Sequence, residues 1–236
     1  MRAWVIVPAA GHGSRFGSAL PKQYLPLAGA TVLAQTLDRL DGLGCLAIAV
    51  GLAPGDPYWP QHTFALTTPL VTFAGGAERV LTVLKGLAAL SAQARPDDLV
   101  FVHDAARPCV RLADLKRLAD AARLSPDGAL LARAVADTVK REGPEGYVDT
   151  TVDRRGLWLA QTPQVFPYAR LRAALEAAVA AGDVVTDEAA AIERLGGRPR
   201  LIPGSPDNIK ITLPEDLSLA EMYLAYQKRH EGMSCG

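Results

Sequence analysis

The sequence predicts an α/β protein with an open, mostly parallel, Rossmann-like twisted sheet that is flanked by helices and carries a protruding β-arm. Short apolar segments without polar alternation recur along the chain, as expected for strands that are buried on both faces. Segments with apolar residues at helical spacing lie between them, and such strand–helix repetition is typical of parallel sheets. A glycine-containing loop follows the first apolar segment, where folds of this class bind ligands.

Each element can be placed in chain order. The apolar segments predict strands at residues 4–7, 46–50, 70–73, 99–103, 129–135 and 209–211. The helical spacing predicts helices at residues 31–40, 80–90, 112–124, 167–181 and 186–195, and a last helix near the C-terminus. We predict Thr31 and Thr186 as N-caps, and a capping box of Thr212 and Glu215 at the start of the last helix.

Residues 137–164 interrupt this alternation. Two polar segments with β-forming residues, 137–141 and 147–152, flank a Gly/Pro turn and predict a hairpin. Because so polar a hairpin buries no face of its own, it is either a surface hairpin or an arm that packs on another subunit. We predict one domain, residues 1–236, with a β-arm subdomain at 137–164 that is used for dimerisation.

The composition restricts the classes of function. The formal net charge is zero and no run of Lys and Arg occurs, which argues against nucleic acid as a partner. Cys45, Cys109 and Cys235 form no CxxC pair and are odd in number, which argues against disulfides and zinc. The first apolar segment is too short for a signal sequence or a membrane span. We expect a cytoplasmic protein that binds a small anion and no membrane.

The loop after the first strand narrows the choice of ligand. It contains no Walker pattern, and its third glycine, Gly17, is displaced from the dinucleotide fingerprint. The segment Pro8-Ala9-Ala10-Gly11 keeps side chains small where backbone amides would face a ligand. Arg15 and Lys22 add two cations suited to phosphate oxygens. These features favour a triphosphate over a dinucleotide.

The segments PAAGHGSR (8–15) and PKQY (21–24) resemble the signature loop of nucleotidylyltransferases. The form PKQY is similar to the loop of the 2-C-methyl-D-erythritol 4-phosphate cytidylyltransferase family. Further motifs that resemble this family follow in family order: GGAER (75–79), VHDAARP (102–108), DTVK (137–140), LW (157–158) with QTPQ (161–164), TDEA (186–189) and NIKIT (208–212). Thr82 stands where relatives often have Ser, so a hydroxyl is kept.

The resemblance implies attack of a sugar-alcohol phosphate on the α-phosphate of CTP, with release of pyrophosphate and with Mg²⁺ as the cofactor. It implies four catalytic residues: Arg15, Lys22, Lys210 and Arg154. It implies these nucleotide-binding residues: Pro8, Ala9, Ala10, Gly11, Gly13, Arg15, Lys22, Gly76, Thr82 and Asp104. It implies these residues for the second substrate, methylerythritol phosphate: Asp104, Arg107, Thr138, Arg154, Thr162, Thr186 and Lys210. The product would be 4-diphosphocytidyl-2-C-methyl-D-erythritol, an isoprenoid precursor of the non-mevalonate pathway.

Three of these residues also have simpler interpretations. Asp104 ends a strand at the carboxyl edge of the sheet, where it is either an N-cap or a carboxylate that faces Mg²⁺, held through the CTP phosphates, or substrate hydroxyls. Arg154 is either an ordinary exposed arginine or, as the resemblance implies, a residue that reaches the neighbour's site in a homodimer with exchanged arms. His103 is expected to be a packed strand residue rather than a base.

Other functions remain open at this point. The same chemistry on another polyol phosphate, such as ribitol 5-phosphate, uses the same residue types. The GxG loop is also compatible with an NAD(P)-binding oxidoreductase, and the scaffold with a nucleotide-binding regulator without catalysis. The residues alone identify neither cytosine nor the acceptor.

Overall fold

The computed structural model describes residues 2–11, 16 and 20–231. The strands are β1 (Ala3–Pro8), β2 (Pro26–Leu27), β3 (Ala30–Thr31), β4 (Ile48–Leu52), β5 (Leu70–Ala74), β6 (Leu99–Val102), β7 (Ala129–Ala134), β8 (Val139–Glu142), β9 (Val148–Val152), β10 (Trp158–Pro167) and β11 (Arg200–Pro203). The helices are α1 (Val32–Asp41), α2 (Arg79–Leu90), α3 (Leu112–Arg123), α4 (Tyr168–Ala180), α5 (Glu188–Arg194) and α6 (Glu215–Glu231).

The central sheet has seven strands in the order β11-β7-β10-β6-β1-β4-β5. Strand β10 pairs antiparallel with both β6 and β7, and the other neighbouring pairs are parallel. Because β1 lies between two parallel partners, Val5 sits beside Ile48 on one side and Phe101 on the other. The predicted open, mostly parallel α/β sheet is confirmed.

Helices cover both faces of this sheet, which is why its central strands are apolar throughout. One face buries side chains of α1 and α3, among them Leu33, Leu37, Leu40, Leu115 and Leu118. The other face buries side chains of α2, α4 and α5, among them Val83, Leu87, Leu171, Leu175 and Ile192. A smaller apolar cluster joins α6 to the segment around Ile211. None of the described helices is both long and apolar enough to cross a membrane.

Two strands of the sheet are absent from the sequence-based prediction. Residues 158–164, which we assigned to the arm, form most of β10 in the middle of the sheet, and β11 was not predicted at all. Strand β10 escaped detection because its buried part carries polar side chains whose partners come from elsewhere in the fold. Gln164, for example, donates from Nε2 to Asp187 and accepts at Oε1 from the backbone N–H of Ala189.

The segment 209–211, predicted as a last strand, has no strand conformation. Its apolar residues instead pack in the cluster that includes α6, and the backbone N–H of Ile211 donates to the carbonyl of Ala106 at 2.8 Å. Burial of Ile211 therefore explains the apolar pattern without a sheet partner. The segment connects β11 to α6 beside the carboxyl end of β6.

The predicted helix caps are partly correct. Thr31 caps α1, since its Oγ1 accepts from the backbone N–H of Ala34 at 3.1 Å. At α5 the N-cap is Asp187 rather than Thr186, with Oδ1 accepting from Ala190. Before α6, the backbone N–H and hydroxyl of Thr212 both donate to Asp216, not to Glu215. In both corrected cases a carboxylate one position farther along the chain reaches the amides that lack helical partners.

Strands β8 and β9 form the predicted polar hairpin, in which Lys140 lies opposite Thr151. They make up a separate two-stranded sheet whose side chains are almost all exposed. The hairpin proper thus spans residues 139–152, a shorter segment than the predicted arm. Apolar side chains at its tip, Tyr147 and Val148, are also exposed, as is Leu159 on β10, the strand that follows the hairpin.

Candidate active site

A pocket of about 240 Å³ lies at the carboxyl edge of the sheet, where β1, β5 and β6 end. This is the edge at which open α/β sheets bind ligands. Its lining comes from the end of β1, the turn at residues 22–23, the start of α2, the segment after β6, and one residue before α6: Pro8, Ala9, Ala10, Gly11, Lys22, Gln23, Gly76, Ala77, Glu78, Arg79, Thr82, Asp104, Ala105, Ala106 and Lys210. Eight residues predicted to bind nucleotide therefore meet around one cavity.

Asp104 is the anionic centre of this pocket. Its Oδ2 lies 2.8 Å from Nζ of Lys210 and 3.5 Å from Nε of Arg107, and its Oδ1 lies 3.2 Å from Nη2 of Arg79. Burial by itself would raise the pKa of Asp104, but Arg79 and Lys210 outweigh burial and hold that pKa well below its usual range. Asp104 thus stands among three cations, and with Lys22 the cations at the pocket outnumber the carboxylates Asp104, Glu78 and Glu188, which suits an anionic ligand.

Arg79, at the start of α2, links Asp104 to a second carboxylate. Its Nη1 donates to Oε1 of Glu188 at 2.5 Å. Burial raises the pKa of Glu188, although the ion pair with Arg79 opposes this shift. Sequence reasoning singled out neither residue, although both stand within quoted motifs. Two signals in the sequence point to them. Arg79 is a charged residue just after the glycine turn that follows a strand, and Glu188 is a charged residue in the first turn of a helix.

The turn after the first loop brings Lys22 to the pocket. Gln23, which is buried, donates from Nε2 to the carbonyl of Ala9 at 2.8 Å and ties the turn to the end of β1. Nζ of Lys22 donates to the carbonyl of Ile211 at 3.0 Å. Because Ile211 follows Lys210, this bond brings the two lysines to the same rim of the pocket, as the sequence-based assignment requires.

Hydrogen bonds fix the glycine turn between β5 and α2, which also lines the pocket. The backbone N–H of Gly76 donates to Oγ1 of Thr82 at 3.0 Å, and that hydroxyl donates to the carbonyl of Glu78 at 3.1 Å. Nζ of Lys85 donates to the carbonyl of Gly75. A Cβ at Gly75 would stand 2.5 Å from Cβ of Ala10, so only glycine permits this approach to the first loop.

His103 is fully buried behind the pocket. Its Nε2 is 3.0 Å from the carbonyl of Arg107 and its Nδ1 is 3.1 Å from Oγ1 of Thr162, which also accepts from the backbone N–H of Asp104. A single tautomer satisfies all three contacts: Nε2–H donates, and Nδ1 accepts from the hydroxyl. Burial lowers the pKa of His103 to about 4, so the ring is neutral. The expectation of a packed residue is confirmed, and Thr162 directs its hydroxyl inward.

The remaining predicted residues have different surroundings. Arg107 lies inside, with Nη1 donating to the carbonyl of Asn208 at 2.7 Å. Thr138 and Thr186 are exposed and do not line the pocket. Arg154 is exposed near the hairpin and donates to the carbonyl of Ala136. The predicted residues Gly13 and Arg15 lie outside the described part of the chain.

A metal bound only by the protein is not indicated. Among the described residues no group of three His, Cys, Asp or Glu side chains could hold a metal ion. The pocket nevertheless fits Mg²⁺ carried by a ligand, because Asp104 is ionised there and Mg²⁺ in proteins commonly takes one or two carboxylates together with substrate phosphates.

Comparisons with known proteins identify a family whose sequences this chain matches. Residues 3–226 match the family described as IspD: 2-C-methyl-D-erythritol 4-phosphate cytidylyltransferase. A relative of that name from Xanthomonas euvesicatoria pv. vesicatoria (strain 85-10) is 52% identical over 222 residues, which cover 94% of this chain and 84% of the relative.

Solved structures of the family are also similar in fold. A crystal structure of 4-diphosphocytidyl-2C-methyl-D-erythritol synthase is 36% identical with a TM-score of 0.81, covering 94% of this chain and 98% of that one. The enzyme named 2-C-methyl-D-erythritol 4-phosphate cytidylyltransferase from Francisella tularensis is 34% identical with a TM-score of 0.81, covering 94% and 100%. The chain therefore belongs to the 2-C-methyl-D-erythritol 4-phosphate cytidylyltransferase family.

Proposed function

We propose that the pocket around Asp104 transfers a cytidylyl group from CTP to 2-C-methyl-D-erythritol 4-phosphate. The family to which the chain belongs consists of CTP-dependent cytidylyltransferases of isoprenoid biosynthesis. The observation that supports the proposal most is the convergence of Lys22, Lys210 and Arg79 on one pocket, where Lys210 and Arg79 both contact the carboxylate of Asp104. A cation-rich pocket at the carboxyl edge of the sheet suits two phosphate-bearing substrates better than it suits a neutral cofactor.

The chemistry brings two anions together, so repulsion is the main obstacle. A phosphate oxygen of the acceptor attacks the α-phosphorus of CTP, and the bond from that phosphorus to the β-phosphate bridging oxygen breaks as pyrophosphate leaves. No side chain has to act as the nucleophile, because the acceptor phosphate is one already. Catalysis then rests on alignment and on charge stabilisation, which together supply most of the rate in such transfers.

Lys22 and Lys210 are the described residues suited to stabilise charge on the transferring phosphate. Both Nζ atoms are fixed by bonds within the protein, to the carbonyl of Ile211 and to Asp104 respectively. Cations that are already oriented lose little freedom when the transition state forms. Arg15 belongs to the same proposal through its motif and lies outside the described residues.

Mg²⁺ is part of the proposal as an ion that enters with CTP. Asp104 would hold it together with the phosphates, and its charge would neutralise the triphosphate and orient the leaving group. The protein's own contribution is then to keep Asp104 ionised and correctly oriented. Arg79, Lys210 and Arg107 do this through their contacts with its two oxygens.

The acceptor side of the proposal rests on residues that do not themselves line the pocket. Arg107, Thr138, Thr162 and Thr186 supply cations and hydroxyls suited to a polyol phosphate. We further propose that the chain acts as a homodimer in which the arm carries Arg154 to the neighbour's site. Exposed apolar side chains at the tip of the hairpin, Tyr147 and Val148, support this. A cytoplasmic location is part of the proposal because CTP is supplied there.

A turnover screen tests the function directly. Each of the four ribonucleoside triphosphates is incubated with methylerythritol phosphate or ribitol 5-phosphate, with and without Mg²⁺, and pyrophosphate release is measured. We expect rapid release only with CTP, methylerythritol phosphate and Mg²⁺ together. Faster turnover of ribitol 5-phosphate would transfer the proposal to that acceptor. NADH binding in a calorimetric titration, with no binding of CTP, would overturn the assignment.

A further inference from the structure

Glu188 is a buried carboxylate that the proposed mechanism does not use. Its side chain is 1% exposed at the start of α5, and it is not among the residues that line the pocket. Oε1 accepts from Nη1 of Arg79 at 2.5 Å. Oε2 is buried and has no hydrogen-bond partner among the described residues.

A buried carboxylate with one unpaired oxygen contributes little to the stability of the fold. Removing a carboxylate from water costs several kcal/mol, and the cost is recovered only when both oxygens and the counter-charge are well satisfied. One oxygen of Glu188 is satisfied by one arginine, which it shares with another carboxylate. A buried charge that stabilises the fold so little needs another explanation, and the shared arginine points to one.

Arg79 holds the two carboxylates on different edges of its guanidinium. Nη1 faces Glu188, while Nε and Nη2 lie 3.3 Å and 3.2 Å from Oδ1 of Asp104. The guanidinium is a rigid plane, so a bond on one edge sets the direction of the other edge. With Oδ1 of Asp104 held in this way, Oδ2 is directed to Nζ of Lys210 at 2.8 Å.

We infer that Glu188 is a positioning residue for the nucleotide site, acting through Arg79 on Asp104 and Lys210. The inference rests on the proposed function of that pocket. A triphosphate entering the pocket attracts Arg79, which lines it, away from Asp104. Glu188 opposes that movement through its contact with Nη1 on the buried side of the guanidinium. Asp104 and Lys210 then keep their relative orientation when the ligand is bound.

The test compares Glu188→Gln with Glu193→Gln, a substitution of an exposed glutamate on the same helix. The kcat of each variant, its KM for CTP and methylerythritol phosphate, and its Tm are measured. For Glu188→Gln we expect kcat to fall about tenfold, as for outer partners of metal ligands, with KM for CTP changed less than about threefold. Tm stays within a few degrees of wild type, because Arg79 keeps Asp104 as its counter-charge and the amide oxygen of glutamine can still accept from Nη1.

A second comparison establishes whether the two residues act as one unit. Arg79→Gln is combined with Glu188→Gln, and the double variant is expected to be no slower than Arg79→Gln alone. If Glu188→Gln does not fold, Glu188→Asp takes its place. It keeps the charge, falls short of Nη1 by one methylene, and is expected to show the same fall in kcat.

Three results overturn the inference. A kcat for Glu188→Gln within twofold of Glu193→Gln removes the positioning role. Multiplicative losses in the double variant remove the pathway through Arg79. A wild-type protein without cytidylyl transfer removes the proposed function and this inference with it, a result distinct from the first two because it appears before any substitution.

Discussion

Nζ of Lys210 lies 2.8 Å from Oδ2 of Asp104, so the segment before α6 is joined to the end of β6 across the pocket. We expect Lys210→Ala to lower kcat/KM by a hundredfold or more, about the loss for one pre-aligned donor to a developing charge. Lys228→Ala, which removes an exposed lysine on α6, is the matched control and should leave the rate unchanged. Steady-state kinetics with CTP and methylerythritol phosphate measure both, and equal rates would exclude the role of Lys210.

His103 makes the stability of the protein depend on pH. Its pKa is about 4 in the fold, lowered mainly by burial with contributions from Arg107 and Arg79, against about 6.5 when unfolded. The fold therefore holds the neutral ring. Its contribution is complete above the unfolded pKa and is lost as pH falls from the unfolded to the folded value.

From about pH 7 to about pH 5 this group alone should lower the free energy of unfolding by about 2 kcal/mol. Urea unfolding of wild type and of His103→Gln at both pH values measures how steeply the free energy of unfolding of each protein changes with pH. An equal change in the free energy of unfolding for both proteins would mean that the buried ring does not contribute to the pH dependence in this range.

Gly75→Ala should separate the first loop from the turn that precedes α2. The added Cβ would stand 2.5 Å from Cβ of Ala10, closer than such atoms approach, so one backbone segment must move. We expect the Kd for CTP to rise at least about tenfold, since a backbone shift of this kind disturbs aligned contacts. Gly42→Ala meets Leu112 only at 3.5 Å and serves as the control. Calorimetric titration with CTP compares them.

Tyr24→Phe should weaken the support of the turn that carries Lys22. Oη of Tyr24 donates to Oδ2 of Asp56 at 2.8 Å, and its ring stacks on His62. Loss of the hydroxyl is expected to cost about 1 kcal/mol of stability and to lower kcat severalfold. Tyr58→Phe, in the same aromatic cluster, is the control. Urea unfolding and kinetics on both variants measure the effects, and a kcat equal to the control would limit Tyr24 to a structural role.

Arg154→Ala and Lys22→Ala subunits test whether the arm serves the neighbour's site. If Arg154 acts across the dimer, a mixed dimer contains one site with both changes and one site with neither. An equimolar mixture, refolded together, should then recover about a quarter of wild-type activity, although each variant alone is inactive. If the mixture is no more active than the two variants measured separately and added together, Arg154 acts in its own subunit's site or in no site.

The local elements were predictable where one physical pattern dominates. Strand β1 and helix α1 follow from an apolar segment and from helical spacing after Thr31. Strand β10 could not be predicted, because polar residues such as Gln164 become buried only when α5 supplies their partners. The same holds for the segment at 209–211, whose apolar residues pack without a strand partner.

By itself, the sequence determined the fold class, the order of the motifs and the residue types suited to a triphosphate. Only the tertiary structure decided which charges meet. Asp104, Arg79, Glu188 and Lys210 come from four separate parts of the chain and meet only in the fold. The pKa shifts of Asp104 and Glu188 arise there from burial and Coulomb interactions. Such interactions depend on separation in space, about which residue spacing along the chain carries no direct information.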